Sequence, residues 1–179
     1  KTAFAAIDHT EITWLGAAGF LLNVRGHIVF VDPVLRLNPS DSTRCETGMR
    51  MKLPYPLDSR NIPRADDVFY THADFDHMGH LTVDDLASKG ANLWGSLCTF
   101  HKLMEYHEPY EQCPVIRPGD KEHIGDIYVE AIAADHPWQL TDMAHVDTIG
   151  KPYRYGDYLG FIFNTPEGRF LFPGDTRLM

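Results

Sequence analysis

Four potential metal ligands fall within six residues of this sequence: His72, Asp74, Asp76 and His77. In an extended segment, side chains two residues apart point the same way, so the first three can converge on one side while His77 turns toward a neighbouring point. Imidazole and carboxylate ligands suit Zn²⁺, Mn²⁺ or Fe²⁺, and two subsets of them suit a pair of ions about 3.5–4 Å apart. The spacing therefore predicts a dinuclear site for two divalent metal ions.

A dinuclear site needs further ligands from other segments. His136, in Ala134-Asp135-His136-Pro137, and Asp175, in Pro173-Gly174-Asp175-Thr176, both follow predicted strands and are the candidates. Taken alone, a histidine before proline is more often structural than a ligand, and Gly-Asp-Thr is ordinary turn chemistry. The alternative for the whole cluster is a solvated acidic turn with incidental histidines.

Short strands and two helices are predicted to position these residues. Apolar and alternating runs indicate strands at 12–15, 20–24, 28–31, 68–71, 93–94, 115–116, 127–133, 158–164 and 169–172. Thr82-Val83-Asp84-Asp85 resembles a capping box for a helix that Gly90 ends, and a second helix is predicted at 96–106. The first three strands form an antiparallel meander, and the His72 segment lies between a strand and a helix.

The segment 36–64 loses the apolar pattern and is predicted to be a long loop insertion near the site. Its six basic and three acidic residues give it a charge of +3 in a chain of −9. Arg44, Arg50 and Lys52 are therefore candidates for holding a phosphate or carboxylate of a substrate, since arginine binds both in a bidentate way. A solvated loop is the alternative. Trp138, next to His136, is a candidate pocket residue or a core residue.

Composition narrows the classes of function. The 179 residues, 44% of them hydrophobic and 23% charged, indicate one globular domain over 1–179. A net charge of −9 argues against nucleic acid and anionic membranes as partners. A small-molecule substrate, which could itself be anionic, is expected instead. A homo-oligomer is left open. Three cysteines without C-x-x-C spacing favour a cytoplasmic location. No apolar run reaches the roughly 20 residues of a membrane span.

The ordered set of motifs resembles the metallo-β-lactamase superfamily of metal-dependent hydrolases, and most of all its L-ascorbate-6-phosphate lactonase-like branch. The motifs are Trp14-Leu15-Gly16 with Gly19, Val31-Asp32-Pro33, Thr71 to His77, Arg117-Pro118-Gly119-Asp120, Asp135-His136, and Thr165-Pro166-Glu167-Gly168 with Gly174-Asp175-Thr176. The resemblance covers nearly the whole chain. It implies an α/β fold of the αββα type, with two mainly antiparallel sheets face to face and helices outside. The chain would supply the first sheet and part of the second.

The resemblance also implies a role for each candidate residue. His72, Asp74 and His136 would bind one ion. Asp76 and His77 would bind the second, and Asp175 would bridge the two. Asp32 would support the His72 loop. From its position three residues after His77, His80 is a further supporting candidate, with simple exposure as the alternative.

Two departures from the family pattern affect these expectations. The family usually has histidine where this sequence has Asp74, and a carboxylate favours Mn²⁺ or Fe²⁺ over Zn²⁺. The last metal ligand of the family, a histidine well beyond Gly-Asp-Thr, has no counterpart before Met179. Either the chain continues past Met179 or the second site is incomplete, and the strand hairpin near this end favours continuation.

The expected function is that of a metal-dependent hydrolase. A metal-bound hydroxide would open a lactone or cleave an ester, phosphorylated ones included, with Asp76 and Asp175 as catalytic residues and Asp76 able to relay a proton. The sequence has neither a G-x-S-x-G elbow nor a glycine-rich phosphate loop. Three alternatives remain open: a phosphodiesterase on the same site, a di-iron oxidoreductase, which shares the fold but would need a flavin domain, and a metal-binding relic without catalysis.

Overall fold

The computed structural model describes residues 2–136 and 155–177. The first sheet has the strand order β1-β2-β3-β6-β7, and its strands are β1 (Thr10–Gly16), β2 (Gly19–Val24), β3 (His27–Val31), β6 (Asp67–Phe69) and β7 (Asn92–Trp94). The first three are antiparallel, as predicted, whereas β3, β6 and β7 pair in parallel. The parallel pairs matter for the site because they bring the carboxyl ends of β3 and β6 to one edge.

The second sheet is antiparallel throughout, with the order β11-β10-β9-β8. Its strands are β8 (Lys121–Ile124), β9 (Ile127–Ala133), β10 (Leu159–Thr165) and β11 (Gly168–Phe172). The described α-helices are α1 (His80–Ala87) and α2 (Leu97–Glu105). Within the described ranges, neither helix has the length and apolar composition needed to cross a membrane.

Alternation along the strands separates two apolar clusters. Leu21 and Phe30 face the helices and pack with Val83 of α1, whereas Leu22 and Val29 face the second sheet. Between the sheets, Phe69 stacks on Trp94 at 5.6 Å and contacts Phe161 and Phe163 edge-on at 5.1 Å each. Each such buried side chain stabilises the fold by about 1.5–3 kcal/mol. The α/β class with two face-to-face sheets is thus confirmed, and both described α-helices lie on the first sheet.

Two predicted elements differ from the structure. The polar run at β8 was not predicted as a strand, because its exposed side chains lack an apolar face and it pairs only at one edge. Residues 115–116 were predicted as a strand, but Val115 makes only an isolated bridge to Gly95. The segment 36–64, predicted as a loop, contains the short hairpin β4 (Leu37–Asn38) and β5 (Asp41–Cys45) and a 3₁₀ turn at Ser59–Asn61.

The start of α1 corrects the predicted capping box. The N-cap residue is Gly79, which has no side chain to cap the helix. Glu46 of the segment 36–64 caps the helix N-terminus instead. Its carboxylate accepts hydrogen bonds from the amides of Leu81 at 2.6 Å and Thr82 at 2.9 Å. The Thr82 hydroxyl donates to Glu46 and accepts from the Leu35 amide at 2.8 Å. A carboxylate at a helix N-terminus is favourable, and here it ties the basic segment to the helix that follows the His72 loop.

A pair of carboxyl groups, Asp84 on α1 and Glu108 after α2, makes stability depend on pH. Burial, followed by the hydrogen bond and charge of Asp84, raises the pKa of Glu108 from 4.5 to about 7. Because the pKa of Glu108 is higher in the folded than in the unfolded protein, its protonated carboxyl contributes to stability. The contribution is fully present below the unfolded pKa and is lost as pH rises through about 7. We expect Glu108→Gln to remove that loss and to raise the melting temperature at about pH 8 by roughly 3 °C or more.

Thermal unfolding at about pH 4 and about pH 8 checks this expectation. At the lower pH, Glu108→Gln and the wild type should melt together. Glu105→Gln, at an exposed position on α2, is the matched control and should keep the pH dependence of the wild type. A Glu108→Gln protein that loses as much stability as the wild type on going to the higher pH would contradict the assignment.

Candidate metal centre

The adjacent carboxyl ends of β3 and β6 place the first part of the cluster. Val31 lies opposite Phe69 in the parallel pair, and the Asp32 amide donates to the Phe69 carbonyl at 3.0 Å. Asp32 therefore lies beside Thr71, the residue that precedes His72. This is the edge at which open α/β sheets commonly carry their sites.

Asp32 is buried and connects three donors. Its backbone has a φ of +45°, a left-handed conformation that aspartate tolerates better than most residues. One carboxylate oxygen accepts from the Thr71 amide at 2.7 Å, and the other accepts from the Thr71 hydroxyl at 2.7 Å and from His77 Nδ1 at 2.8 Å. The carboxylate thus fixes both ends of the loop that carries the predicted ligands.

These hydrogen bonds assign the tautomers of His72 and His77. Because the Thr71 hydroxyl donates to Asp32, it accepts from His72 Nδ1, which lies 3.0 Å away. His77 likewise donates through Nδ1 to Asp32. In both rings Nδ1 carries a proton, so Nε2 is the nitrogen through which each ring would bind a metal ion.

Gly174 brings Asp175 to the same edge. Its φ is +62°, and a Cβ at this position would lie 2.8 Å from Thr71 Cβ and 2.9 Å from the Leu159 carbonyl oxygen. Only glycine fits so close an approach in this conformation. One Asp175 oxygen then lies 3.3 Å from His77 Nε2, and the other lies 3.7 Å from His136 Nε2. Asp175 therefore presents one oxygen to each of two histidines.

Asp74 and Asp76 face different histidines. Asp74 Oδ2 lies 3.5 Å from His72 Nε2 and 3.7 Å from His136 Nε2, whereas Asp76 Oδ2 lies 3.9 Å from His77 Nε2. The potential ligand atoms form two groups, and within each group all atoms lie within 4.8 Å of one another. The first group is His72, Asp76 and His77, and the second is His72, His136 and Asp175. The structure thus brings all six predicted ligands together, and their binding of metal stays a prediction.

The donor set fits divalent cations. His72 Nε2 is buried and makes no hydrogen bond to any residue in the described ranges. A buried polar atom in that state is costly, and a cation would satisfy it. Imidazole nitrogens and carboxylate oxygens together are ligands of Zn²⁺, Mn²⁺ and Fe²⁺.

The charges around His77 also favour a cation. Burial disfavours the charged imidazolium, but the charges of Asp32 and Asp76 and the hydrogen bonds of Asp175 and Asp32 outweigh it and raise the pKa of His77 to about 10. The hydrogen bond to His77 in turn lowers the pKa of Asp175, against the effect of burial. The centre therefore holds negative charge that one imidazolium balances only in part.

A clasp joins the two segments that carry His136 and Asp175. Arg177 pairs with both carboxylate oxygens of Asp135, at 2.8 and 2.9 Å, and its amide donates to the Asp135 carbonyl at 2.9 Å. The Asp135 amide donates to the Thr176 hydroxyl at 3.0 Å. The clasp holds the residue before His136 against the two residues that follow Asp175.

A cavity of about 160 Å³ opens beside the cluster. Its polar lining comes from Asp32, His77 and Asp175, and its apolar lining includes Phe20 and Phe172. A small molecule in this cavity would meet the cluster with one end and apolar surface with the other, which is the usual character of a ligand pocket.

Comparison with known proteins agrees with this geometry. Residues 11–178 match the family model of the beta-lactamase superfamily domain. The chain belongs to the beta-lactamase superfamily. The resemblance seen in the motifs is thereby confirmed at the level of the superfamily.

Proteins similar to this chain are named as hydrolases. A UPF0173 metal-dependent hydrolase of Anaeromyxobacter sp. (strain K) is 29% identical over 97% of this chain and 58% of its own length. The solved structure of a metallo hydrolase from Ignicoccus hospitalis superposes with a TM-score of 0.58 and 18% sequence identity. The matched region covers 95% of this chain and 62% of the Ignicoccus chain. An isothiocyanate hydrolase from Delia radicum gut bacteria gives a TM-score of 0.64 and 18% sequence identity, over 95% of this chain and 63% of the hydrolase chain. This superfamily member therefore spans about three-fifths of the length of its relatives.

The other predicted site residues of this superfamily member lie apart from the cluster or outside the described residues. His80 is half-exposed, lies 3.3 Å from Asp84 and stacks on Tyr106 at 4.2 Å. Trp138 lies outside the described ranges. The three basic candidates lie in or after the β4–β5 hairpin: Arg44 is 4.0 Å from Asp41, Arg50 donates to Thr43, and Lys52 is exposed. A substrate-binding role for them stays a prediction.

Three contributors to the centre were missed in the sequence: Thr71, Tyr158 and Arg177. Thr71 stands in the quoted motif, and a hydroxyl between a strand end and a histidine was the available signal. Tyr158 stacks on His136 at 4.5 Å, and Arg177 forms the clasp with Asp135. No local pattern marks either residue, because both act across long sequence separations.

Proposed function

We propose that this chain carries the dinuclear metal centre of a hydrolase that opens lactones or cleaves carboxylic esters. The observation that carries the proposal is the position of Asp175, which directs one oxygen to His77 and the other to His136. The names of the relatives, metal-dependent hydrolases, support it. Because the chain spans 58% of the first relative, the proposal concerns the whole protein.

The residues divide the work of such a centre. His72, Asp74 and His136 would hold one ion, Asp76 and His77 the other, and Asp175 both. Bound divalent ions supply an activated water as nucleophile and a Lewis acid for the attacked oxygen.

The protein's own part is to orient the ligands and to move a proton. Asp32 and Thr71 keep the Nδ1 protons of His77 and His72 in place, so that both Nε2 atoms face the centre. Asp76, with its side chain 40% exposed, can pass a proton between the centre and solvent. The reaction class is therefore hydrolysis with a carboxylate as proton relay.

The lactonase-like branch is the finer form of the proposal, and a phosphodiesterase is the second candidate. The basic segment 36–64 favours the second, because Arg36, Arg44 and Arg60 line a cavity of about 400 Å³. However, Nη1 of Arg36 donates to both carboxylate oxygens of Asp85, and Arg60 is paired with Asp58, which leaves Arg44 as the least engaged. This weakens an anion clamp and keeps the lactone or ester first.

A substrate panel on the full-length, metal-loaded protein tests the proposal. Initial rates would be measured on aliphatic lactones, p-nitrophenyl esters and bis(p-nitrophenyl) phosphate. We expect lactone or ester hydrolysis that His72→Ala abolishes and that the matched control His80→Ala retains, with circular dichroism to verify folding. Activity on the phosphodiester alone would favour the second candidate. Metal-loaded protein that hydrolyses none of these substrates would contradict both.

Asp74 is expected to set the metal preference. A carboxylate is a harder ligand than imidazole, so Asp74→His should shift the ratio of zinc to manganese affinity toward zinc by about tenfold. Competition with a chelator measures both affinities. Asp126→His, in the exposed turn between β8 and β9, is the control and should leave the ratio unchanged. An unaltered ratio in Asp74→His would count against Asp74 as a ligand.

A further inference from the structure

We propose that Tyr158 is a positioning residue that fixes the rings of His72 and His136 and thereby sets the affinity for one of the two ions. The inference rests on the proposed metal centre. It adds to that centre a residue that the sequence motifs did not indicate. It also predicts that a change at this position alters the binding affinity of one ion more than that of the other.

The ring of Tyr158 contacts both imidazoles. It stacks on His136 with a centroid distance of 4.5 Å and an interplanar angle of 21°, and it meets His72 at 4.9 Å and 51°. The two imidazoles themselves lie 5.3 Å apart in an edge-to-face arrangement. Tyr158 is 1% exposed, so its ring is enclosed and cannot turn away into solvent. Three rings in mutual contact restrict one another's rotation.

The backbone of Tyr158 is held by the same segments that carry the two histidines. Its carbonyl accepts from the Ala134 amide at 3.1 Å, two residues before His136. The amide of the next residue, Leu159, donates to the Thr71 carbonyl at 2.9 Å. Tyr158 is thus anchored to the His136 segment through its own carbonyl, and to the His72 segment through Leu159, the first residue of β10.

This arrangement acts on one side of the centre. His77 is oriented by its hydrogen bond to Asp32, at a buried carboxylate. The ring plane of His136 is matched to that of Tyr158, and the ring of His72 contacts both Tyr158 and the Thr71 hydroxyl. A ligand that is already held in its binding orientation loses less conformational freedom when an ion binds. Removal of the tyrosine ring should therefore weaken binding of the ion that His72, Asp74 and His136 would hold.

The test is metal binding by the full-length protein, measured by competition with a chelator for Mn²⁺ and for Zn²⁺. Tyr158→Leu should weaken one of the two binding events by about 10- to 100-fold and leave the other within about threefold. Tyr158→Phe keeps the ring and should restore both affinities. Phe163→Leu, which truncates a buried ring on β10, the strand that directly follows Tyr158, should lower the melting temperature without changing either affinity.

Each other outcome overturns the inference. Unchanged affinities in Tyr158→Leu would remove the role, and equal weakening by Phe163→Leu would reduce it to general stability. A Tyr158→Phe protein as weak as Tyr158→Leu would assign the effect to the hydroxyl. If Tyr158→Leu does not fold, Tyr158→Met replaces it with the same expectations. A wild type that binds no ion would overturn the proposed function as well, whereas normal binding in every variant overturns only this inference.

Discussion

Replacement of Asp175 by asparagine is expected to lower kcat/KM for hydrolysis by about 10²- to 10³-fold and to weaken metal binding on both sides of the centre. The carboxylate places one oxygen 3.3 Å from His77 Nε2 and the other 3.7 Å from His136 Nε2. An amide of the same shape has one oxygen and no charge, so it can serve at most one side. Steady-state kinetics and metal content of the purified variant measure the two effects.

The control for this prediction is Asp126→Asn, in the exposed turn that lies beside His27, at the other end of β3 from Asp32. It removes the same charge from the protein and should behave as the wild type in both measurements. Retention of the wild-type rate and metal content by a folded Asp175→Asn protein would show that Asp175 is not shared between two ions.

The second large effect is expected from Asp32→Asn. The carboxylate of Asp32 accepts three hydrogen bonds. In asparagine an NH₂ group replaces one carboxylate oxygen, and it cannot accept the hydrogen bonds made by that oxygen. A buried donor left without a partner costs about 1–3 kcal/mol, which corresponds to a loss of several degrees in melting temperature. The Nδ1 proton of His77 also loses its acceptor, so we expect metal affinity to fall by about 10- to 100-fold.

Asp67→Asn is a matched control for this variant. Asp67 is a buried carboxylate that also accepts three hydrogen bonds, from His27, Asn92 and Trp94, at the opposite end of β6. Both variants should lower the melting temperature, but only Asp32→Asn should weaken metal binding. If the two variants bind metal equally well, Asp32 is a structural residue without influence on the ligands.

Much of the fold could be predicted from local patterns. Alternating apolar residues mark β2 and β3, and the glycine-containing turn at Arg25 joins them. The cluster of ligands at His72 could be predicted because four of them lie in one short segment after a buried strand. His136 and Asp175 required the order of motifs in a family as well, since neither residue is distinctive alone.

The remainder depends on contacts between distant segments. The start of α1 is capped by Glu46, which lies more than thirty residues earlier in the sequence. Arg177 and Tyr158 act on His136 through Asp135 and through ring stacking, and neither contact leaves a periodic or compositional trace. The strand β8 lacks an apolar face because it is an edge strand. Such features follow from the assembled fold rather than from any short window of sequence.

The metal content of the full-length protein, purified without chelator or added metal, tests the central claim most directly. Inductively coupled plasma mass spectrometry should find about two divalent ions per chain, with manganese or iron ahead of zinc because of Asp74. Protein that contains no metal and takes up none on reconstitution with manganese, iron or zinc would contradict the metal centre and every role assigned to its ligands.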